Sequence, residues 1–290
     1  MSELPGGSVR LAGDLVLTRV GYGAMQLAGP GVFGPPRDRE EAIAVLREAV
    51  DLGITHIDTA EYYGPHVTNE LIREALHPYP EGLHIVTKVG ATRDAEGGWP
   101  HARRPEQLRA QVHENLRSLG LEALDVVNLR LGGGSDGHSS APGAVAEPFG
   151  ALADLQKEGL IRHLGISTVD AGQIAEAQAI APIVCVQNWY NIATRRDDAL
   201  VADLAAQGIA YVPYWPLGGF TPLQSDALDA VAARLDASPF AVALAWLLQR
   251  SPNILLIPGT STRAHLRENI AAAALELPEA ELVVLDGVAG

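Results

Sequence analysis

Cysteine is almost absent from the sequence, and this absence narrows the class of protein. Among 290 residues there is one cysteine, Cys185, inside the apolar run 183–186. No disulfide can form within such a chain, which is typical of proteins that work in a reducing compartment. We therefore expect a cytoplasmic location, and we expect the thiol to lie in a buried strand.

Positive charge is scarce as well. The chain has 21 Lys and Arg residues against 35 Asp and Glu residues, a net charge of −14. This balance argues against non-specific binding to nucleic acid or to an anionic membrane, while an anionic ligand remains possible at a locally basic site. Among the basic residues only Lys88 and Lys157 are lysines. The use of a compact ammonium instead of a guanidinium at these two positions therefore calls for an explanation.

Targeting, membrane and metal signals are missing too. The N-terminal residues 1–6 do not resemble a signal peptide, and no apolar run approaches the roughly 20 residues of a membrane span. His66 and Glu70 share a helical face, but no second histidine completes a zinc motif, so no metal is predicted. Residues 29–34 match G-x-G-x-x-G, yet two prolines follow instead of a helix, which predicts a loop.

Short β-branched runs alternate with longer amphipathic runs along the whole chain. This alternation predicts a parallel sheet, and eight strands over 290 residues favour a single-domain TIM (β/α)8 barrel spanning residues 1–290. The candidate strands are Val20–Ala24, Thr55–Asp58, His84–Lys88, Asp125–Arg130, His163–Ser167, Val184–Asn188, Ala210–Pro213 and Ile254–Ile257. The candidate helices are Arg39–Leu52, Asn69–Leu76, Pro105–Leu119, Glu147–Glu158, Ala171–Ile180, Arg195–Gln207, Pro239–Arg250 and Arg263–Ala274.

Two segments lie outside this alternation. Residues 8–17 alternate weakly around Gly13 and Asp14, which predicts a hairpin beneath the barrel. Residues 132–143 are rich in glycine and serine and follow a strand end. They predict a long loop at the mouth of the barrel.

Three side chains of different chemistry converge at the ends of the second and third strands. Active sites of such barrels lie at the C-terminal ends of the strands, where Asp58, Tyr63 and Lys88 are found. An ammonium beside a phenol is expected to lower the pKa of the phenol, so that Tyr63 can protonate an alkoxide. A structural Asp–Lys pair beside a packed tyrosine is the alternative.

Two further strand ends carry polar side chains. Asn128 and Arg130 share one face of the fourth strand, and that face points into the mouth. Arg130 then either meets a ligand or forms a buried ion pair. After the last strand, Thr260, Ser261 and Arg263 open a helix, an arrangement that either binds phosphate or simply caps the helix.

The segment Asp58–Gly64 together with Lys88 resembles the signature of the aldo-keto reductases. The similarity continues through residues 187–188, 213–218 and 258–269, so it covers essentially the whole chain. Residues 21–39, 124–130 and 216–224 are similar to the bacterial pyridoxal reductases of that family. The resemblance implies NADPH-dependent reduction of an aldehyde, with pyridoxal converted to pyridoxine.

The resemblance also implies roles by position. Tyr63 is the general acid, Lys88 tunes it and Asp58 pairs with Lys88. Arg130 stands where most of the family has a histidine, and we expect it to orient the carbonyl oxygen. The residues expected to contact NADPH are Gly23, Ala24, Ser167, Gln187, Tyr214, Leu217, Gly259, Thr260, Ser261, Arg263, Glu268 and Asn269. The residues expected in the substrate pocket are Phe33, Asn128, Trp189 and Trp215.

Three other functions stay open from the sequence. One is a general aldehyde or ketone reductase of the same family, because the barrel does not fix the substrate. A second is an NADPH-binding regulatory subunit with little turnover, and a third is a non-redox barrel enzyme. The sequence does not indicate the oligomeric state, and a monomer is the default.

Overall fold

A short hairpin begins the fold. The computed structural model describes residues 4–132, 140, 143–216, 218 and 225–288. Strands β1 (Ser8–Leu11) and β2 (Leu15–Thr18) pair antiparallel, as predicted. The turn uses Gly13 at φ +87°, a conformation that glycine adopts without strain. The hairpin packs its leucines against inward-facing apolar side chains of the sheet. This cluster includes Leu11, Leu15, Leu17, Val86, Val126, Val184 and Val212.

Seven parallel strands form the main sheet, and they lie side by side in the order of the sequence. The strands are β3 (Tyr22–Gly23), β4 (His56–Asp58), β5 (His84–Val89), β6 (Leu124–Arg130), β7 (Ile161–Ser167), β8 (Ile183–Trp189) and β9 (Ala210–Tyr214). Side chains two residues apart share a face of a strand. Val86 and Lys88 therefore point into the same barrel, with Val86 toward the hairpin and Lys88 toward the open mouth.

The prediction of a regular eighth strand at Ile254–Ile257 is wrong. This segment closes the barrel through single bridges from Ile254 to Tyr211 and from Leu256 to Val20. Its hydrogen bonds alternate between the two neighbouring segments, and Pro258 has no N–H with which to extend a ladder. Arg19 supports the closure by donating to the carbonyls of Ile254 and Leu248 at 3.2 and 2.6 Å.

The helices cover the outside of the sheet. Most bounds agree with the predictions within one to three residues. The helices are α1 (Arg39–Asp51), α2 (Val67–Leu76), α3 (Pro105–Leu119), α4 (Ala146–Lys157), α5 (Ala171–Gln178), α6 (Asp198–Ala206), α7 (Asp226–Arg234), α8 (Pro239–Arg250), α9 (Arg263–Ala272) and α10 (Glu279–Asp286).

The predicted helices do not include α7 or α10, although α7 has its buried Leu228, Val231 and Ala232 at helical spacing. α7 begins at a cap, where the Ser225 side chain accepts from the Leu228 N–H. In α10 only Leu285 is fully buried, while Val283 and Val284 are exposed. The predicted loop at residues 29–34 is confirmed, since it holds only a short 3-10 turn at Pro30–Val32.

Within the described ranges, no single helix is long and apolar enough to cross a membrane. Only the bent pair α7 and α8, at 94° to each other, meets that test on length and composition. Of the predicted mouth loop at 132–143, only residues 132, 140 and 143 lie within the described residues.

Candidate active site

A cavity of about 600 Å³ opens at the C-terminal ends of the strands. Its size is that of an ordinary ligand pocket, and its position is the one expected for the active site of a barrel. The structure brings ten of the predicted site residues to its wall. They are Gly23, Asp58, Tyr63, Lys88, Arg130, Ser167, Gln187, Tyr214, Trp215 and Gly259.

The side chains of Asp58 and Lys88 form a buried ion pair. Parallel pairing of β4 with β5 places the ends of both strands side by side. Lys88 Nζ lies 2.5 Å from Asp58 Oδ1 and 3.0 Å from the carbonyl oxygen of Thr59, so its charge is well satisfied. The same ammonium lies 5.1 Å from the centre of the Tyr63 ring. The sequence-predicted group of acid, amine and phenol is thus assembled.

The prediction that the nearby ammonium lowers the pKa of Tyr63 is wrong. Burial raises the pKa of Tyr63, the nearby Asp58 carboxylate raises it further, and only Arg130 opposes the shift noticeably. The physical reason is that burial disfavours the phenolate, while Asp58, which pairs with Lys88, adds a negative charge nearby. Tyr63 therefore holds its proton at neutral pH, which is the form that a proton donor needs.

Gln187 joins this group from β8. Its Nε2 donates to Asp58 Oδ2 at 3.0 Å, so both oxygens of Asp58 are engaged. Its Oε1 is buried and accepts no hydrogen bond from any described residue. A buried acceptor without a partner is costly, and a ligand N–H is a suitable donor for it.

A buried polar network supports the ion pair from the side of α2 and α3. Thr59 Oγ1 donates to Asn69 Oδ1 at 2.8 Å, and Asn69 Nδ2 donates in turn to Glu61 Oε2 at 2.5 Å. On the neighbouring strand Thr87 Oγ1 donates to Asn115 Oδ1 at 2.6 Å. These bonds fix the strand ends that carry Asp58 and Lys88.

His66 lies beside two glutamates instead of completing a motif with Glu70. Ligand atoms of Glu61, His66 and Glu114 fall within 4.8 Å of one another, a spacing that a metal ion also uses. Burial raises the pKa of Glu61, whereas hydrogen bonds from Ser118 and His66 lower it. These hydrogen bonds and the contact of Arg117 with Glu114 account for the cluster, so we assign no metal to it.

Sequence reasoning missed several residues of the cavity wall. Tyr62, Trp99, His101 and Arg103 line it, and all but the first come from the connection between β5 and α3. Such connections at the C-terminal ends of strands carry function in these barrels, and this position was the available signal. Trp99 packs edge-on against Tyr62, with ring centres 5.5 Å apart.

The start of α9 binds a carboxylate in this structure. Thr262 caps the helix, and the backbone N–H of Arg263 donates to Glu41 Oε1 at 3.1 Å. The guanidinium of Arg263 lies 3.2 Å from the other oxygen of Glu41. Nearby Thr260 is buried, whereas Ser261 and Glu268 are exposed and Asn269 is half-buried. These residues lie outside the cavity wall.

The other predicted site residues lie elsewhere. Phe33 is 41% exposed, and Ala24 is buried at the start of a 3-10 turn. Asn128 lies inside the barrel, where its Oδ1 accepts from the Cys185 thiol. Trp189 packs against Trp215 with ring centres 6.1 Å apart. The four predicted residues that do not line the cavity are thus Ala24, Phe33, Asn128 and Trp189. Leu217 lies outside the described residues.

Comparison with known proteins agrees with this barrel and its polar centre. A family model described as the aldo/keto reductase family matches residues 19–289. The chain therefore belongs to the aldo/keto reductase family.

Three known proteins are similar to this chain over nearly its whole length. The chain is 62% identical over 276 residues to a protein named pyridoxine 4-dehydrogenase from Escherichia coli (strain K12), covering 95% of this chain and 96% of that protein. A crystal structure of a thermostable aldo-keto reductase with the inhibitor epalrestat has a TM-score of 0.81 at 32% identity, covering 97% and 99% of the two chains. An aldo-keto reductase from Klebsiella pneumoniae in complex with NADPH has a TM-score of 0.78, covering 99% and 95%. At 24% identity it shows the fold alone.

Proposed function

We propose that this chain reduces the aldehyde of pyridoxal to the alcohol of pyridoxine, with NADPH as the reductant. The observation that carries the proposal is the placement of Tyr63 beside the Asp58–Lys88 pair in a cavity at the barrel mouth. The choice of substrate is supported by the 62% identity to pyridoxine 4-dehydrogenase of Escherichia coli.

The residues present fit NADPH. The unsatisfied Oε1 of Gln187 and the hydroxyl of Ser167 suit a carboxamide, and Tyr214 offers an aromatic face at the same wall. The backbone N–H and guanidinium of Arg263 bind the carboxylate of Glu41, which supports a phosphate group at the start of α9. When bound, NADPH supplies the hydride that the carbonyl carbon accepts.

The chain's own residues then handle the oxygen of the substrate. Tyr63 donates its phenolic proton to the oxygen as negative charge develops there. Arg130 cannot act as an acid near neutral pH, but its N–H groups donate hydrogen bonds to that oxygen or to the ionised ring hydroxyl of pyridoxal. Asp58 holds Lys88, whose ammonium lies 5.1 Å from the centre of the Tyr63 ring.

The decisive experiment compares turnover of pyridoxal and benzaldehyde with NADPH and with NADH. We expect pyridoxal to be the better substrate by kcat/KM and NADPH the better reductant. If benzaldehyde is reduced and pyridoxal is not, the protein is a general aldehyde reductase and pyridoxal is not its substrate. Tight NADPH binding without turnover of either aldehyde would favour a regulatory subunit and contradict the proposal.

The remaining expectations concern the setting of the protein. The cytoplasmic location, the monomeric state, and the prediction of no nucleic-acid or membrane partner stay predictions. Size-exclusion chromatography with light scattering measures the oligomeric state directly.

A further inference from the structure

The charge on the cavity wall is opposite to that of the whole chain. The chain carries a net charge of −14, yet the described wall holds the cations Lys88, Arg103 and Arg130. His101 also lines the wall, but burial and the two arginines lower its pKa, so it adds no charge at neutral pH. Asp58 is the one carboxylate among the described lining residues, and Lys88 already pairs with it at 2.5 Å. Arg103 and Arg130 therefore place two guanidinium groups on the rest of that wall.

Arg103 is held in place within this wall. One of its terminal nitrogens, Nη2, donates to the carbonyl oxygens of Leu131 and Gly132, both at 2.6 Å, and also contacts His101 Nδ1. These bonds fix the guanidinium at the end of β6 without neutralising it. Its Nε is buried and has no hydrogen-bond partner in the structure.

Keeping Arg103 charged at this place is unfavourable without a partner of opposite charge. Burial lowers the pKa of Arg103 to about 10, and the neighbouring Arg130 lowers it as well. Across residues 4–132 and the other described ranges, no carboxylate forms an ion pair with Arg103. Arg103 is half-buried, and guanidinium groups withdrawn from water are normally paired, so a ligand is the natural source of the missing negative charge.

Another part of the wall is aromatic. Trp99 packs edge-on against both Tyr62 and Tyr63, with ring centres 5.5 and 6.4 Å away. The cavity thus combines an aromatic cluster, a phenolic proton donor and a positively charged patch. A planar ring that carries both an aldehyde and an anionic group matches all three features.

We propose that the cavity selects aromatic aldehydes bearing an anionic group, and that Arg103 is the residue that sets this preference. The inference rests on the proposed reductase function and names the class of its substrates. The anionic group is a carboxylate, a phosphate or an ionised phenol, which share the oxygen atoms that a guanidinium binds.

The test compares benzaldehyde with 4-carboxybenzaldehyde, which carries an additional carboxylate on the ring. We expect kcat/KM to be about tenfold or more higher for the carboxylate, since a charge-assisted hydrogen bond changes binding by about tenfold to a hundredfold. The variant Arg103→Gln should lose most of this ratio, and Arg103→Lys should regain part of it. Arg109→Gln, on the exposed face of α3, changes net charge equally and should keep the ratio.

A second set of substrates identifies the source of the negative charge. Pyridoxal is compared with its 3-O-methyl ether, which has no ionisable ring hydroxyl, and with pyridoxal 5′-phosphate. If kcat/KM is lower for the ether than for pyridoxal, and Arg103→Gln abolishes this difference, the anionic group is the phenolate. If kcat/KM is higher for the phosphate ester than for pyridoxal, and this difference needs Arg103, the anionic group is the phosphate. Either result supports the inference. Equal turnover of all three by both proteins overturns it.

Binding measurements separate this inference from the proposed function. Calorimetry with NADPH-saturated protein compares 4-(hydroxymethyl)benzoate with benzyl alcohol and needs no turnover. If no aldehyde is reduced but the benzoate binds tighter in an Arg103-dependent manner, the reductase function fails and the anion site stands. If aldehydes are reduced and neither binding nor turnover depends on the charge of the ligand, the inference is wrong and the function stands.

Discussion

At the scale of single residues, Tyr63 shows how burial and an ion pair together prepare a proton donor. Burial raises the pKa of the phenol, and the Asp58 carboxylate, which pairs with Lys88, raises it further. A neutral phenol is the reactive form for protonating an alkoxide. Lysine suits this place better than arginine because its compact ammonium fits between Asp58 and the carbonyl of Thr59.

The first prediction concerns this phenol. Tyr63→Phe should lower kcat with pyridoxal by about a hundredfold to ten-thousandfold, the usual contribution of a positioned acid. NADPH affinity should change little. Tyr62→Phe is the matched control, because the Tyr62 hydroxyl is buried without a hydrogen-bond partner and its loss should cost far less. Steady-state kinetics and NADPH fluorescence titration measure both effects, and near-normal turnover by Tyr63→Phe would refute its role.

A second prediction concerns His56, whose ring nitrogens are buried in β4 with no hydrogen-bond partner. Burial lowers its pKa from 6.5 to about 4, so the unfolded chain binds a proton more readily between these values. The folded state should therefore lose stability as pH falls from about 6.5 to 4, by up to about 3 kcal/mol in total. This contribution is fully present above pH 6.5.

Urea unfolding at several pH values checks this prediction. His56→Gln removes the titration and should flatten the dependence of unfolding free energy on pH over this window. His77→Gln, an exposed histidine, is the control and should keep the slope of the unchanged protein. Equal slopes for the His56 variant and the unchanged protein would show that His56 does not carry the effect.

At the scale of elements, the site depends on where strands end and helices begin. β4, β5, β6 and β8 end at one side of the barrel and deliver Asp58, Lys88, Arg130 and Gln187 to one cavity. This convergence follows from parallel pairing, so the sequence predicts it once the strands are recognised. Arg103 comes from an irregular connection, whose path no periodic pattern encodes.

The third prediction concerns the start of α9. Arg263→Ala should weaken NADPH binding by about tenfold to a hundredfold, as expected for loss of a charge-assisted contact to phosphate. NADH, which lacks the 2′-phosphate, should bind nearly as before. Arg267→Ala, one turn further along and paired with Glu48, is the control with a smaller expected effect. If Arg263→Ala weakens the binding of NADPH and NADH equally, Arg263 does not contact the 2′-phosphate.

At the scale of the whole molecule, the barrel is predictable from strand–helix alternation, but its closure is not. The residues at 254–257 have the apolar pattern of a strand, and only the tertiary structure shows that they form single bridges to both neighbours. The hairpin is predictable from its turn. The neutralised ion pair behind Tyr63 and the cationic wall depend on distances between segments far apart in sequence, which no local pattern contains.

The central claim is that this molecule transfers hydride from NADPH to the aldehyde carbon of pyridoxal. The most direct measurement uses NADPH deuterated at the transferable position and analyses the alcohol product by NMR and mass spectrometry. The account predicts one deuterium on the carbinol carbon, formed in step with oxidation of the cofactor. Pyridoxine without deuterium, or cofactor oxidation without alcohol, would contradict it.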